Sequence, residues 1–234
     1  MVICIETATN LCSVALCDNG KILSVRESAD IRSHASLLTV YIGELLSEKG
    51  IKTEDLEAVA VGKGPGSYTG LRIGVSVAKG IAFASSLPLI GIDTTLSMFW
   101  GMAHRTGDLT GDPENTLLCP MIDARRMEVY DALYDHKGTL IRPVSAEIID
   151  PASFSGIPES KHILFFGDGA GKCREVIKRK NVYFADDFRN TAANMLIPCY
   201  QALQDKRFED VAYFEPFYLK DFIATIPGKN ILGT

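Results

Sequence analysis

No two of the six cysteines stand at C-x-x-C spacing, and none is set against histidines as a zinc site requires. Cys4, Cys12, Cys17, Cys119, Cys173 and Cys199 are therefore expected to be reduced thiols, buried in the apolar runs that hold several of them. Histidine is scarce: His34, His104, His136 and His162 lie far apart, so no H-x-x-x-H or H-E-x-x-H helix presents two imidazoles to a metal. No Gly-Lys-Ser/Thr completes a Walker loop, and no Ser/His/Asp arrangement is legible. Positive charge is not in excess either. The 24 Lys and Arg against 29 Asp and Glu leave a net charge of −5, whereas a chain that grips a phosphate backbone alone carries a basic face. Any RNA contact is expected through a partner. The most apolar long stretch, residues 71–86, is too short for a bilayer and holds Arg72 and Lys79. With no basic, apolar and small-residue leader at the N-terminus, a cytoplasmic protein without a membrane span is expected.

What is present is ordinary globular usage, 47% apolar and 23% charged. Residues 2–6 and 13–17 are short apolar runs rich in β-formers, and Asp18-Asn19-Gly20 supplies the turn into a third strand near residues 21–26. From Ser33 as N-cap, Leu37, Leu38, Tyr41, Ile42, Leu45 and Leu46 recur at three- and four-residue spacing as far as Gly50, which predicts an amphipathic helix. A strand over 57–62, a glycine loop over 62–70 and a small-residue helix over 71–85 complete a βββαβα order.

The order recurs from about residue 115. Strands are predicted over 117–122, 127–134 and 139–149, then a short helical piece after Pro151, a strand over 162–166 and a helix over 170–179. One offset, 117 residues, relates Glu6 to Asp123 and Asp18 to Asp135. Gly62-Lys-Gly64 and Gly167-Asp-Gly169 each close an apolar strand, 105 residues apart, which fits a shorter first helix in the second half. An internal duplication follows. Paired βββαβα units are the layout of the actin-like ATPase (ASKHA) folds, an α/β architecture whose two lobes hold a nucleotide between them; on function the fold sets only an expectation. Loop formers at 106–114 predict a division into lobes at 1–106 and 107–234, with the C-terminal segment packing back on the first.

The glycine-rich run 64–72 leads into a helix N-terminus, where free N–H groups can hold an anion. Its third glycine falls one position too late for G-x-G-x-x-G, so close packing by Gly70, Gly74 and Gly80 is the stronger explanation. Thr7, Thr9, Asn10 and Ser13 form a polar turn between two strands, mirrored by Asp123-Ala-Arg-Arg126, and Gly167, Asp168 and Gly169 lie at a strand-to-helix junction. These residues face a nucleotide if the lobes form a cleft; otherwise they satisfy their own backbone as turns. Asp123 is the best single carboxylate for catalysis, although no second acid or base pairs with it in sequence. The two N-terminal helices carry apolar and small-residue faces suited either to the sheet or to another subunit.

Together these segments resemble the TsaB/YeaZ family. The likeness rests on Ile-Glu-Thr-Ala-Thr at the start, Ser33-His-Ala-Ser-Leu-Leu, the run Gly62 to Gly74, Leu87-Pro-Leu-Ile-Gly-Ile-Asp-Thr-Thr95 and Glu215-Pro-Phe-Tyr-Leu-Lys220. The Gly62 to Gly74 run is shared with the paralogous enzyme TsaD. TsaD carries a metal-binding histidine pair where this chain has Asp93-Thr-Thr-Leu96. The resemblance thus implies a non-catalytic accessory subunit with no metal and no required cofactor. Its work would be formation of N6-threonylcarbamoyladenosine at adenosine 37 of tRNA, as heterodimer partner of a TsaD-like paralogue alongside a TsaE-like ATPase. It implies a homodimer when alone and tRNA contact only through the complex. Interface residues would come from the two helices: His34, Leu37, Leu38, Tyr41, Leu45, Tyr68, Arg72, Val75 and Lys79. Weak binding of an adenine nucleotide and, as an alternative role, a small-molecule kinase or ATPase stay open. A peptidase has least support.

Overall fold

A computed structural model describes residues 1–29 and 34–220, and the side chains there except at 34 and 35. Its first sheet contains β1 (Val2–Glu6), β2 (Cys12–Asp18), β3 (Lys21–Ser28), β4 (Ala58–Gly64) and β5 (Leu89–Asp93), in the order β3-β2-β1-β4-β5. The second contains β6 (Thr116–Asp123), β7 (Glu128–Tyr134), β8 (Leu140–Ile148), β9 (His162–Phe166) and β10 (Val182–Ala185), in the order β10-β9-β6-β7-β8. Counted within each half, both sheets read 3-2-1-4-5, with the first three strands antiparallel and the last two parallel to the first. The duplication and the actin-like two-lobe fold are thus real, and each half adds a fifth strand to the predicted order.

Helices α1 (His34–Lys49) and α2 (Tyr68–Ala84) cover one face of the first sheet. Leu38, Ile42, Leu45 and Leu46 of α1 bury at spacings of four, three and one, and meet Ile3, Ile5, Val59 and Val61 of the strands. Arg26 on β3 bonds Glu44 (3.2 Å) and Glu48, which pins α1 to the sheet edge. The predicted Ser33 N-cap lies outside the described residues.

The opposite face of each sheet is covered by the other half of the chain. Helix α3 (Thr94–Ala103) follows β5, yet its Met98, Phe99 and Met102 pack on Leu118, Ala132, Tyr134 and Leu164 of the second sheet. A 3-10 turn (Ala192–Met195) and α6 (Leu196–Gln204) return the favour, placing Ala192, Met195, Cys199 and Ala202 on Val2, Cys4, Ala60 and Ile90. The remaining face of the second sheet is covered by the turns after Asp150 and by the single-turn helix α5 (Ala170–Cys173). All six cysteines are buried and unpaired.

Three expectations need correction. Residues 106–114 are not a loop. They form helix α4 (Thr106–Thr110), held by the Thr110 hydroxyl donating to Thr106 O (2.9 Å) and stopped at Gly111, and a 3-10 turn capped by Asp112. The piece after Pro151 is a series of turns, because Asp150 Oδ1 accepts from Ala152 N–H (2.8 Å) and Phe154 takes a φ of +68°. The helix from Ala170 ends at Cys173 rather than Arg179. The Arg179 guanidinium instead donates to the carbonyls of Phe154, Ile157, Pro158 and Lys161, drawing the chain onto those turns. No described helix is long and apolar enough to cross a membrane.

Candidate functional site: the cleft between the lobes

A cleft of about 630 Å³ opens where the C-terminal ends of β1 and β6 face each other. Four of the predicted nucleotide residues line it: Thr9 and Asn10 from the β1–β2 turn, Asp123 from the end of β6, and Asp168 after β9. The start of α2 (Ser67, Tyr68, Thr69) and the turn residues Arg125 and Arg126 line it as well. Arg125 and Arg126 hold φ values of +69° and +49°, a backbone that bulky residues rarely adopt, so the tight turn is strained in order to set both arginines at the cleft.

The other four lie beneath its surface. The Thr7 hydroxyl is buried and donates to Gly70 O (2.8 Å). Ser13 is buried and accepts from Ala192 N–H (3.0 Å), tying the returning chain to β2. Gly167 and Gly169 press against the backbone of Met121 and Ile122, where a Cβ would come within 2.3 Å and 2.9 Å. These residues build the cleft walls and do not face a ligand.

The glycine run has a packing explanation. A Cβ on Gly66 would stand 2.4 Å from Ala8 O, one on Gly70 2.1 Å from Thr7 O, and one on Gly74 2.3 Å from Thr7 Oγ1. Bare backbone is what lets α2 begin against the β1–β2 turn, with Ser67 capping it by accepting from Gly70 N–H (3.2 Å). Gly80 does not fit that pattern, since nothing described lies within 4 Å of its missing side chain.

Acidic groups in the cleft already have partners. Asp123 accepts from the Lys172 ammonium and from Arg125 N–H (2.9 Å), and Lys172 also donates to Glu128 O (2.6 Å). Asp168 accepts from Asp123 N–H (3.0 Å), and burial holds its carboxyl above the usual range. Glu6, at the end of β1, turns away from the cleft. It is fully buried, accepts from Ala8 N–H (2.7 Å) at Oε1, leaves Oε2 without a hydrogen bond, and lies beside Asn190.

The predicted interface residues divide into three groups. Leu38, Leu45 and Val75 belong to the core and are removed from any surface. Leu37 and Tyr41 are half-buried on α1, and the side chain of His34 lies outside the described residues. Tyr68, Arg72 and Lys79 face outward but are engaged by the chain's own residues 212–218. Sequence reasoning missed that Tyr130, Glu128, Phe217, Tyr218, Leu219 and Lys220 also line the cleft. The signal available was the closing motif Glu215 to Lys220, whose position in space no periodicity discloses.

The family profile described as TsaD, tRNA N6-adenosine threonylcarbamoyltransferase, matches residues 22–227. Over 98% of its length the chain is 30% identical to the tRNA threonylcarbamoyladenosine biosynthesis protein TsaB of Escherichia coli strain K12, and it covers 99% of that protein. A shorter match, 40% identical over 108 residues, covers 39% of the chain and 32% of a tRNA N6-adenosine threonylcarbamoyltransferase from Halalkalibacterium halodurans. The solved structure of YeaZ from Pseudomonas aeruginosa superposes with a TM-score of 0.78 at 24% identity, covering 93% of this chain and 99% of that one, a likeness of fold.

Proposed function

The chain belongs to the TsaB/YeaZ family, and from that membership we propose that it is a non-catalytic subunit that activates a TsaD-like enzyme in forming N6-threonylcarbamoyladenosine on tRNA. The single observation that carries this reading is the end-to-end match to a protein named for that biosynthesis. It works in the cytoplasm, with a TsaE-like ATPase as the third component, and meets tRNA through the complex.

The partner binds the outer faces of α1 and α2. Two helix-interior glycines support this, Gly43 and Gly80, because nothing described lies within 4 Å of either missing side chain. A helix-interior glycine costs about 1 kcal/mol relative to alanine, and at these two positions packing within the chain does not repay it. Val40 on α1 is 49% exposed and Phe83 on α2 is 81% exposed, as suits helices that meet another helix pair. Alone, the chain pairs with itself through the same faces. Engagement of Asp123 by Lys172 supports a subunit without turnover of its own, since the carboxylate the sequence singles out for a kinase is already held in an ion pair. An adenine nucleotide binds weakly between Thr9, Asn10 and the turn of Arg125 and Arg126 and is not needed for the activating role.

The experiment is modification of unmodified tRNA by the cognate TsaD-like, TsaE-like and adenylate-forming enzymes, with and without this chain. ATP turnover by the isolated chain is measured in parallel. Modification that depends on the chain, with no turnover by the chain alone, is expected. Equal modification in its absence overturns the reading, and ATP turnover lost in Asp123→Asn would favour the kinase instead.

A further inference from the structure

Residues 209–220 cross the first lobe in irregular conformation and are fastened to it at three places. Glu209 N–H donates to Leu89 O (2.8 Å) on the edge strand β5. Lys79 of α2 donates to Ala212 O (3.1 Å) and Phe214 O (2.9 Å), while the Phe214 ring enters the core beside Gly91. Phe217 N–H donates to Lys63 O (2.7 Å), and its carbonyl occupies the space that a Cβ on Gly64 would need.

Beyond Phe217 the fastening changes character. The Tyr218 ring lies 5.0 Å from that of Tyr68, and its hydroxyl accepts from Arg72 Nε (3.2 Å). The Lys220 ammonium then reaches across the cleft to Glu128 on β7 of the other lobe. Backbone hydrogen bonds and a buried ring hold the segment as far as Phe217. An aromatic stack, the Arg72 bond to the Tyr218 hydroxyl and one ion pair between half-exposed Lys220 and the largely covered Glu128 hold the rest, side-chain contacts near the surface that are individually weak and sensitive to salt.

We propose that residues 209–220 are a latch on the cleft: residues 209–217 are its fixed mount, the hinge follows Phe217, and Tyr218 to Lys220 are a bolt that closes the lobes by gripping Glu128. With the bolt home, one wall of the cleft is the chain's own Phe217, Tyr218, Leu219 and Lys220. Withdrawing it widens the cleft and uncovers the stacked pair of Tyr68 and Arg72 at the start of α2, while the mount stays on Lys79. The latch rests on contacts within the chain and stands whether or not the partner reading holds.

Spin labels on introduced cysteines test it in the full chain, the six native thiols being buried. One label goes on the exposed face of the second lobe (Lys180→Cys) and the other on the bolt (Leu219→Cys) or, as a control, on the mount (Glu215→Cys). The bolt pair is expected to give one distance in the parent. In Glu128→Gln or Lys220→Ala a second, longer distance appears, with the open fraction raised about fivefold. The mount pair keeps its distance throughout, and the charge swap Glu128→Lys with Lys220→Glu restores the single bolt distance. A bolt distance indifferent to Glu128 and Lys220 overturns the latch. So does a mount pair that lengthens together with the bolt, because the hinge would then not follow Phe217.

Discussion

Glu6 fills the space left by the missing side chain of Gly62, its carboxyl oxygens 2.8 Å from where a Cβ would stand. Burial pushes this carboxyl up to about 7, against the lowering pull of the Ala8 N–H and the Asn190 amide. The folded state therefore holds its proton more tightly than the unfolded chain does. Stability from this group is full below the ordinary carboxyl value, falls as pH rises toward 7, and is level above it. Glu6→Gln should change the melting temperature little at pH 5 and raise it at pH 8, by stability on the order of 2 to 3 kcal/mol. Thermal unfolding at both pH values checks this, and an equal effect at the two would show that ionisation is not the cause. Gly70→Ala should lose about 3 kcal/mol in denaturant unfolding, since its Cβ would meet backbone at Thr7 O that has nowhere to go. The sequence made Glu6, Asp123 and the glycines visible as landmarks. It did not disclose that Thr7 and Ser13 point inward while Thr9 and Asn10 line the cleft, because a polar side chain in a turn bonds a partner 63 or 179 residues away as readily as a ligand.

At the scale of elements, α2 serves the sheet on one side and carries Gly80 on the other. Gly80→Ala should stabilise the isolated chain by about 1 kcal/mol, read in denaturant unfolding, and, if the proposed TsaD-like partner binds there, weaken its capture in a pull-down or by calorimetry. A gain in stability with partner affinity intact would mean that the partner does not come close at that turn. Elements with a strong period were legible: α1 through Leu38, Ile42, Leu45 and Leu46, and β1 and β6 through unbroken apolar runs. Those decided by particular side-chain hydrogen bonds were not. The predicted helix beyond Cys173 gives way to Arg179 and its four carbonyl acceptors, and nothing in a local window weighs those bonds. The segment 106–114 reads as loop because of its glycines, aspartates and proline, whereas the buried Thr110 hydroxyl, bonded to Thr106 O and to Thr116, closes a short helix over Thr106–Thr110.

Taken whole, the molecule is two copies of one sheet that have exchanged their covering helices. Cutting between residues 105 and 106 would leave each half with an apolar sheet face exposed and a helix with nothing to cover. Neither half should fold by itself, judged by near-ultraviolet circular dichroism, and mixing the two should restore the parent spectrum. A first half that folds unaided would show that α6 and its 3-10 turn are dispensable to the first sheet.

The exchange also sets a timetable for synthesis. The first sheet is complete at Asp93, but the helix that seals its inner face ends at Gln204, 111 residues later. At ordinary translation rates a ribosome needs roughly 5 to 20 seconds to cover that distance. Until then the apolar face of Val2, Cys4, Ala60 and Ile90 lacks the helix that covers it in the finished fold, and uncovered apolar surface of that kind is what makes an emerging chain prone to aggregate.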